Sequence, residues 1–272
     1  MDHATAIERF ERLAELSGDD VDLAAGALLI AAAFDHDVDV EHELRVLDAL
    51  AAGVRDRMPL EGSHLASVNV LNDYLFDEIG FAGNEAHYYD PRNSLLHEVL
   101  ARRLGIPITL SLVYIETGCR LGIPLQGVGM PGHFLVRHVE EDSLYIDPFY
   151  RGIMLSEVEC AERLRKITGN IRWDRSFLHP INNRSFLARI LRNLSAIWVK
   201  EEALDDAVLT LGMLIALQPG EPGHRRDRGM LRYRLGEHDN ALHDLETYLE
   251  NDVAAPDAWY VRRLTEEIRG KR

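Results

Sequence analysis

The 272-residue chain is 46% hydrophobic and 28% charged, enough apolar material for a sizeable core in one large or two modest domains. A formal net charge of -15 repels a phosphate backbone, and the short basic clusters (Arg102 with Arg103; Arg225, Arg226 and Arg228) lie among acids, so nucleic acid is not an expected partner. Two cysteines, Cys119 and Cys160, make neither a disulfide framework nor a zinc motif; with an N-terminus that has no apolar signal core, they point to a reducing cytoplasm.

The first 80 residues read as helices. "TAIERFERLAEL" sets Ile7, Phe10, Leu13 and Leu16 on one face. "LAAGALLIAAAF", residues 23–34, is too short to cross a bilayer and suits a buried helix, so no membrane association is expected. Asp35, Asp37 and Asp39 resemble the start of a calcium loop, but Val40 and Val46 stand where such a loop needs Gly and Glu. His36 and His42 beside them read as solvated helix ends. "VEHELRVLDALAAGV" aligns Leu44, Leu47, Leu50 and Val54, and "SHLASVNVLNDYLFDEIG" runs to a C-cap at Gly80.

The next segment, 90–105, predicts a helix with Asp90 as cap, Pro91 in the first position and Gly105 at its end. A second helix, 107–122, again opens on Pro and closes on Gly. The period then changes: "LQGVGM", "HFLVRHV" and "SLYIDPF" are short strands, and residues 156–167 return to helix. "GNIRWDRSFLHPINNRS" reads as an irregular joint between domains. Beyond it Ala207 and Ala241, 34 residues apart, sit in two similar turn–helix segments, each preceded by another helix (186–199 and 222–234). That period of paired helices resembles the tetratricopeptide repeat, with Gly229, Gly236 and Ala241 in its small-residue positions. Two repeats are few. They either form a groove for a protein or peptide partner or serve as a helical cap.

His133 and Asp147 frame the chemistry. If "HFLVRHV" pairs antiparallel with "SLYIDPF" across a turn near Glu140–Asp142, the two residues lie opposite or diagonal, their Cβ atoms within about 4.5–8 Å. A carboxylate at that distance can fix the imidazole tautomer, in a structural pair or in two thirds of a catalytic triad. His138, five positions from His133, faces the other side of the strand. His97, mid-helix, reads as a packing residue.

The stretch "YYDPRNSLLHEVLARRLGIPITLSLVYIETGCRLGIPLQGVGMPGHFLVR", followed by "YIDPF", resembles the SirB-type branch of the transglutaminase-like superfamily, over residues 81–160 closely and the preceding helices more loosely. Members of that branch commonly carry tetratricopeptide-like helices at the C-terminus. The resemblance implies an α+β fold in three parts. A helical N-terminal region (1–80) precedes a papain-like core with a small antiparallel sheet (81–178), and C-terminal helical hairpins follow (179–272). It also implies a site in which a Cys at the start of a central helix faces a His and an Asp on neighbouring strands. A helix N-terminus and a nearby imidazolium favour thiolate there.

Active members place that Cys about 15 residues before a Gly-Ile-Pro. Here the triplet is Gly122-Ile123-Pro124, and the aligned position is Pro107. The nucleophile is thus missing from its place. Cys119 lies on the same helix about 18 Å further along, at ~1.5 Å per residue, and reads as a buried, unreactive thiol. Thr109 and Ser111, near the first turn, are either substitute nucleophiles or polar packing groups. Asn93 and Ser94 match the family's Asn-Ser after the Asp-Pro turn, and either cap the helix or line the cleft with Pro107. The site residues expected are therefore His133, Asp147 and Thr109, lined by Asn93, Ser94 and Pro107, with no cofactor and no third metal ligand.

Two functions follow. In one, a transglutaminase-like fold without the cysteine step binds or regulates, and its C-terminal helices hold a protein or peptide. In the other, a hydrolase or acyl-transfer enzyme acts on amide or ester bonds through His133 and Asp147, using Thr109 or an activated water.

Overall fold

The computed structural model describes residues 1–58, 63–141, 143–169, 171–251 and 255–270. Two compact units divide the chain, Met1–Ile190 and Leu191–Arg272, and the division falls inside the helix Asn183–Lys200. The sequence reading placed its boundary at 178/179.

In the first unit, helices α1 (His3–Ala14), α2 (Leu23–Ala32) and α3 (Val40–Arg55) are each started by an aspartate whose carboxylate accepts a backbone N–H of the first turn: Asp2, Asp22 and Asp39. Helix α1 buries Ala6, Phe10 and Ala14, whereas Leu16, predicted on the buried face, lies past the helix end and is exposed. Helix α2 is apolar on every side and buried along almost its whole length, as its composition requires. A Cβ on its Gly26 would fall 2.4 Å from a Leu187 methyl, so the glycine sets how closely α2 meets that residue.

Helix α4 (His64–Asn72) runs into a π-helical turn, Asp73–Glu78, that ends before Gly80 at φ +86°. A two-residue strand β1 (Ala82–Gly83) pairs in parallel with β2 (Leu104–Gly105). The helix predicted over 90–105 is broken. A 3₁₀ turn occupies Pro91–Asn93, capped by Asp90, and α5 spans only Leu96–Arg102. Arg103, in the left-handed region at φ 59°, ends α5, which releases Gly105 into β2. Gly105 has its own constraint: a Cβ there would sit 2.9 Å from the Thr109 hydroxyl.

Helix α6 (Pro107–Arg120) is the central helix of this unit, buried along most of its length, with Pro107 in the first position. After it come β3 (Leu125–Val128), β4 (Leu135–His138), β5 (Tyr145–Asp147) and β6 (Ile153–Leu155), an antiparallel meander in chain order. Val136 pairs with Ile146 and Arg137 with Tyr145. The turn predicted at Glu140–Asp142 begins with Glu141 N donating to His138 O (3.2 Å), and Asp142 lies outside the described residues. Helix α7 (Glu157–Thr168) starts in a capping box of Ser156 and Glu159. It buries Cys160 and Leu164 in a cluster with Val128, Leu135 and Tyr145 of the sheet and Met130 just beyond β3. The outer edge of β3 is met by the segment after α7: Ile181 N donates to Gly127 O (2.9 Å), and Val128 forms a bridge with Pro180.

Helix α8 (Asn183–Lys200) contains the boundary. The second unit continues through α9 (Leu204–Leu217), α10 (Gly223–Arg234), α11 (His238–Asn251) and α12 (Ala258–Gly270), each of the last three packed on its predecessor. Gly229 is needed where α10 meets α11, since a Cβ there would lie 2.8 Å from Leu245 and 3.2 Å from the Ala241 carbonyl. Gly236 turns the chain at φ +79° and Ala241 is fully buried, the pattern of close helix pairs the 34-residue period implied.

Candidate functional site

Two turns of opposite origin build the site. At one, Pro131 and Gly132 reverse the chain before His133, with Gly132 at φ +71° and His133 N donating to Met130 O (3.1 Å). Arg189 holds this turn by donating one guanidinium nitrogen to the carbonyls of Met130 and His133, each at 2.7 Å. At the other, Asp147 ends β5 and folds back on its own chain. Its Oδ1 accepts the N–H groups of Phe149 (3.2 Å) and Tyr150 (3.4 Å), the local turn that an Asp before Pro favours.

In the strand register Leu135 would face Asp147, so His133 is its diagonal neighbour. The two side chains meet: His133 Nε2 lies 2.7 Å from Asp147 Oδ2, with His133 5% and Asp147 0% exposed. The sequence expectation of a contact is met in this geometry. A third group was not foreseen. Arg163 of α7 pairs with the same Asp147 oxygen and lays its guanidinium over the Tyr150 ring at 4.4 Å. Imidazole, guanidinium and two amides satisfy the four acceptor positions of the carboxylate. His133 Nδ1 meets no hydrogen-bond partner among the described residues. The imidazole is flanked by Phe149 and Tyr150, with ring centroids 6.2 and 6.1 Å away. Tyr150 and Arg163 also wall a cleft of about 440 Å³, together with Ile153, Glu162, Lys166 and Ile167.

Phe149 links this pair to the start of α6. Its ring lies against Gly83, where a Cβ would come within 2.6 Å, and Gly83 pairs with Gly105, two residues before Pro107. Pro107 is buried. The Thr109 hydroxyl is occupied: it accepts Ile106 N (3.1 Å) and donates to the Asn93 carbonyl (2.7 Å) with no exposed surface. The Ser111 hydroxyl is buried without a hydrogen-bond partner, and so is that of Ser94.

Asn93 does not cap α5, whose N-cap is Leu95. It is fully buried, and its amide donates to the carbonyls of His87 (2.7 Å) and Tyr88 (3.2 Å), while its oxygen accepts from Asn84 (3.0 Å) and Arg102 (3.0 Å). Its side chain therefore braces the 84–93 loop, which leaves it little freedom to act in a cleft. His97, read as packing alone, has an acid beside it: Asp35 lies 3.3 Å from its Nε2.

The two cysteines differ, and Cys119 departs from the burial expected of it. Cys119 is exposed, because α6 ends one residue later and leaves it on the outer side. Desolvation by its neighbours, then the Glu116 carboxylate, nevertheless raises its thiol pKa. Cys160 is buried, and burial pushes its thiol up to about 12 against the opposing pull of Arg163. Neither is poised as a thiolate at neutral pH.

What the sequence reading missed here is Arg163, Tyr150, Phe149 and Arg189. "IDPFY" already carried the aromatic pair, but nothing local marks which arginine of a charged helix turns inward. Among the described residues no helix is long and apolar enough to cross a membrane.

Comparison with known proteins agrees with this architecture. A family model described as transglutaminase-like superfamily matches residues 41–192, and a tetratricopeptide-repeat model matches 194–266. A UPF0162 protein of Xylella fastidiosa is 37% identical over 246 residues, covering 89% of this chain and 88% of that one. A UPF0162 protein of Vibrio cholerae is 28% identical over 243 residues, 87% and 90% of the two chains. The human F-box only protein 21 is 31% identical over 183 residues, 62% of this chain but 28% of that protein. The chain thus belongs to the transglutaminase-like superfamily, among the SirB-like UPF0162 proteins, and carries tetratricopeptide repeats after its transglutaminase-like region.

Proposed function

We propose that the chain is a binding protein on a transglutaminase-like scaffold that no longer performs the cysteine step, with its repeats holding a protein or peptide partner in the cytoplasm. The observation that carries this is Pro107 at the first position of α6, where the family resemblance puts the nucleophile. A proline offers neither a nucleophilic atom nor an N–H for an oxyanion. The nearest hydroxyl, Thr109, is held by Ile106 and Asn93, and both thiols are raised away from thiolate. The His133–Asp147–Arg163 cluster then serves as a latch between β5 and α7, and the cleft beside Tyr150 is a place for a ligand. Repeats of the tetratricopeptide kind suit a protein partner.

A second reading has one observation in its favour. The Nδ1 atom of His133 is left without a partner, so the imidazole could activate a water for hydrolysis of an amide or ester. One experiment separates the two. Alkylation rate against pH is measured for Pro107→Cys, alone and with His133→Ala. The binding reading expects a thiol more reactive than Cys119 and dependent on His133, and no amide or ester turnover by the unmodified protein. Turnover abolished by His133→Ala would replace it with the hydrolase. Equal alkylation rates with and without His133 would show that position 107 does not serve that imidazole.

A further inference from the structure

The other end of the same hairpin carries a cluster that the proposed function does not use. His64 is the first residue of α4, behind its Ser63 cap; His138 is the last residue of β4; Glu140 follows in the turn. His64 Nε2 lies 2.7 Å from a Glu140 carboxylate oxygen, and the His64 and His138 rings sit 4.2 Å apart with 35° between their planes. One donor atom from each of the three residues falls within 4.8 Å of the others. A pocket of about 100 Å³ opens beside them, lined by Leu65, Val68, Leu144 and Ile146, with Glu141 at its edge.

Two imidazoles and a carboxylate, brought together from segments more than seventy residues apart, are the donor set of a borderline divalent cation. The burial argues the same way. His138 is 2% exposed and faces the His64 ring, with the carboxylates of Glu140 and Glu141 beside it. Two imidazoles tilted against each other beside an acid gain from a cation held among them, over an apolar floor.

We infer that His64, His138 and Glu140 form a Zn²⁺ site, three protein donors with a fourth position open to water. Tetrahedral donors around Zn²⁺ stand about 3.4 Å apart, so binding opens the 2.7 Å contact between His64 and Glu140 and sets the His138 nitrogen, now within 4.8 Å of both, at that spacing. His64 and Glu140, with side chains 45% and 60% exposed, are free to make that adjustment. A second contact gives way. Glu140 N donates to His138 Nδ1 at 3.2 Å, which places the ring proton on Nε2. Binding through Nε2 moves that proton to Nδ1 and opens the contact; binding through Nδ1 displaces the amide directly. In both cases the ring stays neutral and its proton count is unchanged.

The test uses the full chain, stripped of metal, with Cys119→Ser to remove the exposed thiol. Co²⁺ is titrated as the spectroscopic probe and then displaced with Zn²⁺, whose affinity is measured by calorimetry. The expected result is one visible-absorbing cobalt per chain, bleached by one equivalent of Zn²⁺, and a Zn²⁺-dependent rise in melting temperature. His64→Asn and Glu140→Gln, both at exposed positions, should each weaken Zn²⁺ binding by roughly tenfold or more while the metal-free melting temperature stays unchanged. They decide the matter even if His138→Asn, in the buried position, fails to fold. Absence of a stoichiometric cobalt spectrum, or an affinity that neither variant changes, overturns the site.

Discussion

Each unit is organised around one aspartate with no exposed surface, and the two are paired differently. In the second unit Asp244 takes a bidentate grip from Arg228 (2.7 Å to each oxygen) and a further bond from Arg232 (2.8 Å), with Arg225 3.8 Å away. In the first, Asp147 divides itself among Arg163, His133 and two amides of its own turn. Both solve the same problem, since a buried carboxylate is tolerated only when charge and hydrogen bonds surround it. The difference is what remains over. Guanidinium groups that surround Asp244 have no lone pair to offer, whereas the imidazole on Asp147 keeps a second nitrogen. A structural knot and a candidate reactive site can thus share one electrostatic plan.

Removing the acids tests that plan most severely. Asp244→Ala leaves three arginines crowded without the buried carboxylate they share and should cost about 4 kcal/mol in chemical denaturation. Asp147→Ala strands one arginine and also unties the Phe149–Tyr150 turn, for a loss of about 3 kcal/mol. If Asp147→Ala proved neutral, the paired aspartates would not be equivalent anchors at all.

The next variant sharpens the contrast. Arg163→Met keeps the imidazole and the two turn amides on Asp147, so a loss of about 1–2 kcal/mol is expected, well short of removing the acid. A loss as large as that of Asp147→Ala would mean that the guanidinium alone balances this carboxylate.

The thiols compare the surface with the core. A disulfide reagent should modify Cys119 in the native protein slowly at pH 7 and faster as the pH is raised, because its pKa is held above the ordinary thiol value. Cys160 should react only on unfolding, and rapid native labelling at Cys160 would show that α7 does not seal it.

The smallest effect is in mild acid, where each unit holds a buried histidine whose pKa is lowered chiefly by desolvation, His138 in the first and His224 in the second. A depressed folded pKa means that the unfolded chain binds the proton more readily. The contribution of each is present above the unfolded value of about 6.5 and is lost as the pH falls below it. Stability should decline from pH 7 toward 5, and His138→Gln or His224→Gln should each flatten that decline.

The readable parts of the fold were those set by local pattern. The apolar run of α2, the Pro-to-Gly span of α6 and the alternation of the hairpin all depend on near neighbours, and so does the diagonal meeting of His133 with Asp147. The misread parts depend on distant ones. Nothing within 90–105 announces that Arg103 will adopt a left-handed conformation to feed a two-residue strand paired with residue 82. Leu16 and Cys119 were misjudged at helix ends, where one residue of frayed boundary decides exposure. Arg163, the Asp35 beside His97, and His64 across from Glu140 are long-range partners, and their identity is a property of packing.

The proline that bridges to Val128 has an effect on how these molecules meet one another. An antiparallel sheet invites a neighbour's strand wherever an outer strand shows a ladder of free amides and carbonyls. On the β3 side the 180–181 segment takes that place, and Pro180 has no N–H with which to extend the ladder outward. On the opposite side β6 is three residues long, entered through the left-handed Arg151 and Gly152 and left through the Ser156 cap of α7. The sheet is thus closed to edge-to-edge growth on one flank and too short for it on the other.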